Sequence, residues 1–383
     1  MCSSDLGLGG TNNGIPREDG FNITPASEIM AILCMSQSIA DLKERLGNIF
    51  IGFTFDGQPV YARDLHAVGA MAALLKEAIK PNLVQTLEGN PAILHGGPFA
   101  SIAQGTNSIV ATKMGLSLAD YVVTEAGFAA DLGAEKFFDI KCVAGGLQPE
   151  AVVLVATIKA LRHHGGAKKA ELQTADVPKV VAGLPNLGKH IENVLKFGIR
   201  PIVCINYFPA DDAAEIAAVQ DYCAALGVQA IVSKAFAEGG KGAADLANAV
   251  VQMIESKQNK FKPLYSWDEP IETKIERIAK EVYGASSVDY SVKAKANLKT
   301  IQTLGLQALP VCMAKTPKSL SDDERKLGRP ENFAITVREF ELASGAGFVI
   351  PILGDMMRMP GLPAEPAAEQ MDLSDDGVIS GLF

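Results

Sequence analysis

Hydrophobic and polar residues repeat with different periods along this chain, and each period predicts a kind of element. Between Ala26 and Arg45 apolar residues recur every three or four positions after the start signal Thr24-Pro25, which predicts one long helix. From Ile49 to Phe55 the residues alternate and are rich in β-branched types. The Asp56-Gly57 pair that follows predicts a hairpin turn closing on Val60-Tyr61.

The middle of the chain alternates short apolar runs with helical patterns. The predicted strands are Tyr121–Glu125, Ala151–Thr157, Pro201–Asn206 and Ala230–Ser233. The predicted helices are Leu187–Phe197, Ala213–Leu226 and Ala243–Glu255. Repeated strand–helix order favours an α/β fold with a parallel sheet that carries helices on both faces.

A smaller second α/β unit is predicted after Asp268. Its expected elements are helices Ile271–Tyr283 and Ser291–Leu304 and strands near Leu309–Met313, Ala334–Leu342 and Gly347–Pro351, with a linker-like stretch at 359–376. We therefore divide the chain into residues 7–118, 119–268 and 269–383. Residues 1–6 (MCSSDL) join abruptly to a glycine-rich run, and we interpret them as a cloning or assembly scar.

Composition narrows the function classes. The formal charge of -9 argues against a protein that binds a nucleic-acid backbone, which needs a positive surface. The six cysteines are dispersed without a CxxC pair, so neither a zinc site nor a disulfide framework is indicated and a reducing compartment fits best. Since no apolar run reaches the roughly 18 residues of a membrane span, we expect a cytoplasmic protein that does not bind membranes.

Candidate chemistry gathers where the predicted parallel strands end, because ligands of such sheets collect at the carboxyl ends of the strands. This places Thr157, the segment Asn206 to Pro209 and the segment Ser233 to Gly242 on one rim. Phe208 and Phe236 on neighbouring strand ends would clamp a flat heterocycle, or they are ordinary core aromatics.

The phosphate-binding pattern GxxxxGK[ST] does not occur in the sequence. The nearest string, Glu238-Gly239-Gly240-Lys241-Gly242, has the wrong spacing and lacks a Ser or Thr after the lysine. It is a phosphate loop, a glycine turn that shapes a ligand rim, or a connector. The glycine-rich start, Gly7 to Gly14, has no preceding strand and no following helix, which argues against a dinucleotide site.

Two further segments carry chemical groups. His95 precedes two glycines and a proline that expose backbone amides, so it would act as an acid or base or hold an anion; otherwise it is a structural histidine in a tight turn. The segment from Glu125 to Lys136 carries Asp131 among small residues. Its carboxylates would orient a cation, or they mark an ordinary helix start with a helical salt bridge.

Long strings of this sequence resemble formate–tetrahydrofolate ligase, in order from Gly7 to Phe383. The matching strings are Phe21–Cys34 (FNITPASEIMAILC), Lys80–Gly89 (KPNLVQTLEG), His95–Ala100 (HGGPFA), Asp120–Phe128 (DYVVTEAGF), Asp131–Cys142 (DLGAEKFFDIKC), Met359–Pro363 (MPGLP) and Ile379–Phe383 (ISGLF). Their length makes them far more specific than any short motif.

The resemblance implies an ATP-dependent joining of formate to tetrahydrofolate through formyl phosphate, giving 10-formyltetrahydrofolate. It implies that Phe208, Pro209 and Phe236 sandwich the pterin, with Asn206 beside them. His95 and Asp131 would be catalytic, and Glu238, Gly239, Gly240 and Gly242 would line the entrance for folate or nucleotide. ATP, Mg²⁺, a monovalent cation, tetrahydrofolate and formate are the implied ligands, no protein-bound metal is assigned, and the implied assembly is a homotetramer.

The sequence also departs from the family. Members usually have Trp where Phe236 stands, His where Gln104 stands and Gly where Ala129 stands. The family's P-loop would lie upstream of residue 7, so we expect a P-loop-NTPase-like fold whose phosphate-binding segment is missing and a fragment that does not turn over ATP alone. The alternatives are a non-catalytic folate-binding or assembly subunit, and a nucleotide-dependent enzyme with another substrate.

Overall fold

The structure is a computed structural model and describes residues 2–356 and 365–381. Its strands are β1 (Cys2–Leu6), β2 (Arg17–Phe21), β3 (Phe50–Phe53), β4 (Pro59–Tyr61), β5 (Asn82–Gln85), β6 (Pro91–Leu94), β7 (Val152–Ala156), β8 (Pro201–Asn206), β9 (Ala230–Ser233), β10 (Ser287–Tyr290), β11 (Ala334–Ala343), β12 (Phe348–Leu353), β13 (Asp372–Leu373) and β14 (Ile379–Ser380).

Helices alternate with these strands along much of the chain. The α-helices are α1 (Glu28–Met35), α2 (Ile39–Gly47), α3 (Val68–Leu74), α4 (Ile109–Leu118), α5 (Val143–Gly145), α6 (Ile158–His164), α7 (Val177–Lys196), α8 (Ala213–Ala225), α9 (Ala235–Glu238), α10 (Ala244–Glu255), α11 (Ile271–Arg277) and α12 (Val292–Thr303). Three π-helical segments occur at Ala129–Ala134, Phe137–Cys142 and Ile278–Tyr283.

A parallel sheet of three strands, in the order β7-β8-β9, lies in the middle of the chain. Val203 and Ile205 of β8 point to one face, where they are fully buried against α6, α7 and α8. These helices begin at side-chain caps; Asp212, for example, accepts a hydrogen bond from the N–H of Ala214. The predicted α/β class and all three of these strands are confirmed.

The opposite face of this sheet is only partly covered. Helix α10 packs against β8 and β9. On β7, however, Val153 and Val155 alternate away from the buried face and are 37% and 61% exposed. The prediction that helices cover both faces is therefore wrong at β7.

A second sheet, β10-β11-β12, has a parallel and an antiparallel pair. Its strand β12 is buried on both sides. One face packs on α11, α12 and the π-helical segment Ile278–Tyr283. The other face, with Phe348 and Ile350, packs on Ile32 and Leu42 of the N-terminal helices. These helices and the C-terminal strands therefore share one core.

Three predicted elements are wrong, and the reason is local in the first case. The long helix at 26–45 is interrupted after Met35, because the hydroxyl of Ser38 accepts the N–H of Asp41 and starts α2 as a new helix. The segment predicted as the strand Tyr121–Glu125 has no strand pairing. Residues near Leu309–Met313 form only isolated bridges, such as Val311 to Val349.

Other predictions are confirmed with changed bounds. The hairpin at Asp56-Gly57 joins β3 to β4, and α7 begins ten residues before the predicted Leu187, at Val177. Helix α7 runs through Pro185, whose ring faces solvent. The motif at 359–363 and the last two residues of ISGLF lie outside the described residues.

Candidate functional site

The ends of β8 and β9 lie side by side at the rim of the parallel sheet. Asn206, the last residue of β8, is paired with Ser233, the last residue of β9. The N–H of Tyr207 donates to the carbonyl of Ser233 at 3.0 Å. The chain therefore leaves the sheet at adjacent points toward Phe208 and toward Phe236, as predicted.

At the third strand end of the rim, Thr157 caps a helix. Thr157 follows β7, and its hydroxyl accepts the N–H of Ala160 at 3.1 Å as the cap of α6. This bond explains the residue type without a ligand.

The rings of Phe208 and Phe236 are open to solvent, with exposed fractions of 42% and 92%. Phe208 has a fixed backbone, because its N–H donates to the Asp211 carboxylate at 2.8 Å and its carbonyl accepts the N–H of the same residue. Of the two interpretations of these aromatics, core packing is therefore wrong. Exposed rings on an ordered backbone are a surface that a flat ligand can cover.

A glycine-rich turn follows Phe236. Helix α9 ends at Glu238, and a 3-10 turn at Gly239–Ala243 leads into α10. The turn is closed by a hydrogen bond of 2.9 Å from the N–H of Lys234 to the carbonyl of Gly242. The predicted glycine segment is thus an ordered turn beside the rim.

His95 has both ring nitrogens engaged. Nε2 lies 2.8 Å from the carbonyl of Ala78, and Nδ1 lies 2.6 Å from the hydroxyl of Ser108. Because a carbonyl only accepts, Nε2 carries the proton, and in the neutral ring Nδ1 accepts from Ser108. The same hydroxyl caps α4 by accepting the N–H of Ala111. The structure therefore gives His95 an anchoring role at the start of α4.

Asp131 lies in a buried ion pair on the first π-helical segment. Its Oδ2 is 2.8 Å from Nζ of Lys315, whose side chain is 0% exposed. His190 Nδ1 lies 3.9 Å from the other carboxylate oxygen and has no hydrogen-bond partner. Burial alone would raise the pKa of Asp131, but Lys315 and His190 outweigh it and hold the pKa below its ordinary value. Asp131 is therefore ionised and paired across the fold, not within its own helix.

Glu135 and Asp139, one and two turns further on, are fully buried. Asp139 accepts the N–H of Leu264 at 2.6 Å through Oδ1, whereas Oδ2 and both oxygens of Glu135 accept no N–H donor. Burial raises the pKa of Glu135 well above its ordinary value, and the charge of Asp139 raises it further. Burial also raises the pKa of Asp139, to about 8. Both carboxyls are therefore held in their protonated form more strongly than in the unfolded chain.

A family model described as formate–tetrahydrofolate ligase matches residues 3–383, nearly the whole sequence. The chain belongs to this family. Formate–tetrahydrofolate ligases use ATP to join formate to tetrahydrofolate, so formate, ATP and tetrahydrofolate are the small molecules that the family handles. The resemblance seen in the sequence is confirmed, and the match includes part of the segment that we interpreted as a scar.

The structure shows the surroundings of Gln104 and Ala129, the two other positions at which we expect a departure from the family. Gln104 is fully buried, and its amide donates to the carbonyl of Ile102 at 2.6 Å while its own oxygen has no partner. Ala129 starts the first π-helical segment with φ at 52°, a left-handed conformation that a side chain rarely adopts. A glycine at 129 would relieve this conformation.

We expect Ala129→Gly to raise the free energy of unfolding by about 0.5–1 kcal/mol, because the strain of a left-handed alanine exceeds the extra chain entropy of glycine. The measurement is chemical denaturation with both proteins. Ala134→Gly is the matched control within the same helical segment, and we expect it to lower stability by about 1 kcal/mol. Equal losses in both variants would contradict the strain at 129.

Metal binding has no support in the described part of the chain. Residues 2–356 and 365–381 hold no group of three or more His, Cys, Asp or Glu side chains that could ligate a metal ion. Within those residues no helix is long and apolar enough to cross a membrane. The five cysteines whose side chains are described are buried and free, as predicted.

Proposed function

We propose that the rim of the parallel sheet is the tetrahydrofolate site of this ligase. The pterin lies between the rings of Phe208 and Phe236, with Pro209 and Asn206 beside it and the turn from Glu238 to Gly242 at the entrance. The exposure of both rings on adjacent strand ends is the observation that carries this proposal. Such stacking contributes about 0.5–1.5 kcal/mol beyond the buried area.

The proposed reaction has two steps. Formate oxygen attacks the terminal phosphorus of ATP, so that a P–O bond forms, ADP leaves and formyl phosphate results. The N10 amine of tetrahydrofolate then attacks the formyl carbon, phosphate leaves and the amine loses its proton. In this scheme His95 and Asp131 support the site: the ring of His95 holds Ser108 at the start of α4, and Asp131 fixes the first π-helical segment through Lys315.

The 383-residue sequence lacks the pattern GxxxxGK[ST], the loop that binds the phosphates of ATP. We infer that these residues alone bind tetrahydrofolate but do not form formyl phosphate from ATP and formate. Robust formyl phosphate formation by the purified chain would contradict this inference. No residue is assigned to Mg²⁺ or to a monovalent cation, because the described residues offer no ligand cluster.

We also propose a fold type, domain boundaries and an assembly for the chain. We infer a P-loop-NTPase-like arrangement for the central sheet and a smaller C-terminal α/β unit, with the divisions 7–118, 119–268 and 269–383. A cytoplasmic homotetramer is the assembly implied by the family resemblance. Sedimentation of the purified chain tests the tetramer directly.

Phe236→Ala is expected to weaken tetrahydrofolate binding about tenfold, because a stacked ring contributes roughly 1–3 kcal/mol to holding a flat heterocycle. Isothermal titration calorimetry measures the dissociation constant. Phe55→Ala removes another fully exposed ring, at the turn between β3 and β4, and should leave the affinity unchanged. If the Phe236 variant binds as tightly as the unmodified chain, the pterin is not stacked there.

A further inference from the structure

The tip of one hairpin reaches the glycine turn of the rim. Strands β5 and β6 are antiparallel, and the N–H of Thr86 donates to the carbonyl of Asn90 at 2.9 Å to close the connecting turn. Glu88 lies in this turn. Its Oε1 accepts the N–H of Gly240 at 2.7 Å, so a carboxylate from a distant part of the chain sits on the turn that follows Phe236.

The two glycines of that turn provide the space for the carboxylate. A Cβ at Gly239 would lie 2.2 Å from Oε1 of Glu88, and a Cβ at Gly240 would lie 2.5 Å from Oε2. Either contact is far inside the van der Waals distance. Because the carboxylate ends a flexible side chain, a methyl group at either position would displace it from the turn, whereas glycine leaves room for it.

The contact joins two segments that carry proposed site residues. On one side, the turn directly follows α9, on which Phe236 stands. On the other side, the hairpin continues through β6 into His95. Leu87, next to Glu88 at the hairpin tip, is fully exposed, so the tip presents an apolar side chain at the same place.

We propose that Glu88 is a positioning residue that fastens the β5–β6 hairpin to the glycine turn and thereby sets the place of Phe236 for pterin binding. This inference rests on the proposed function, since it concerns the same rim. The carboxylate is exposed in the free chain, where water weakens its hydrogen bond. A ligand that excludes water from the rim strengthens the bond, so the contact contributes most in the complex.

A double-mutant cycle tests the contact with tetrahydrofolate as the titrant. We expect Glu88→Ala and Gly240→Ala each to weaken binding about tenfold, the size of a charge-assisted hydrogen bond. The double variant should bind no more weakly than either single variant, because the new methyl group at 240 has no carboxylate to displace. Gly240 is the cleaner partner, since Gly239 has φ at 61° and an alanine there adds its own strain.

Two further variants separate positioning from general damage. Glu88→Gln keeps an oxygen that accepts the Gly240 N–H and should recover part of the affinity, and Glu44→Gln, an exposed glutamate on α2, should match the unmodified chain. Melting temperatures should stay unchanged throughout, since an exposed bond contributes little to folding. Hydrogen exchange at 239–243 should rise in Glu88→Ala without any folate present.

Failure of the proposed function and failure of the Glu88 role give different results. An unmodified chain that binds no tetrahydrofolate overturns the proposed function and the positioning role together, while hydrogen exchange still tests the contact itself. Tight binding by the unmodified chain and by both single variants overturns the role of Glu88 alone. Additive losses in the double variant also overturn it, since they would mean that the two residues act independently.

Discussion

Lys315→Met is expected to lower the free energy of unfolding by about 3–5 kcal/mol, because it leaves the buried carboxylate of Asp131 without its partner. Nζ of Lys315 also donates to the carbonyls of Thr316 and Ser319, and these acceptors would be left unpaired as well. Chemical denaturation at pH 7 measures the loss. At lower pH the loss should shrink, since Asp131 can then take up a proton.

Lys318→Met is the matched control. This lysine lies three positions further along the same segment, and it pairs with Glu324 at 2.7 Å on the surface, where its side chain is 65% exposed. We expect a change below about 1 kcal/mol. The double variant with Asp131→Asn should be more stable than Lys315→Met alone, because it removes the unpaired charge. A Lys315 variant as stable as the control would show that the pair is dispensable.

The ion pair between Lys315 and Asp131 affects the site by fixing the position of the helical segment that carries Asp131. Asp131 belongs to a π-helical segment, a form of helix that is rare and often found beside functional sites. Lys141 on the next such segment donates to the carbonyls of Thr106 and Asn107, which follow the His95 turn in the chain. Lys315 therefore holds in place a helix that in turn supports the loop after His95.

Local sequence patterns were sufficient to predict the rim of the parallel sheet. Strands β8 and β9 have apolar runs that end in polar or aromatic residues, and helix α10 after β9 has a clear apolar face. Since parallel strands place their carboxyl ends at one edge, Phe208 and Phe236 could be placed near each other from sequence alone. Their exposure could not be predicted, because it depends on which segments cover the rim.

Partners distant in sequence could not be predicted. Lys315 has no pattern around it that points to Asp131, and His190 lies inside an ordinary amphipathic helix. Glu88-Gly89-Asn90 is a turn signal, yet the β5–β6 hairpin around it was not among the predicted elements. The π-helical segments were also missed, because their apolar spacing does not differ clearly from that of an α-helix.

The pH dependence of stability should change most when Glu135 is replaced. Burial raises the pKa of Glu135 well above its ordinary value and that of Asp139 to about 8, so the folded chain holds protons that the unfolded chain releases near pH 4. Stability contributed by such groups is complete below pH 4 and falls as the pH rises toward 8. The slope is about 1.4 kcal/mol per pH unit for each proton retained.

Glu135→Gln removes one of these protons and keeps a neutral side chain of the same size. We expect the variant to match the unmodified chain near pH 4 and to exceed it by about 1.4 kcal/mol more with each pH unit above that, until Glu135 ionises in the folded protein, as denaturation at several pH values would show. The buried His190 titrates in both proteins, so its contribution cancels in the difference. Glu255→Gln, an exposed change on α10, should give a curve parallel to that of the unmodified chain. Parallel curves for Glu135→Gln would mean that Glu135 is ionised in the folded protein, and its raised pKa would then be ruled out.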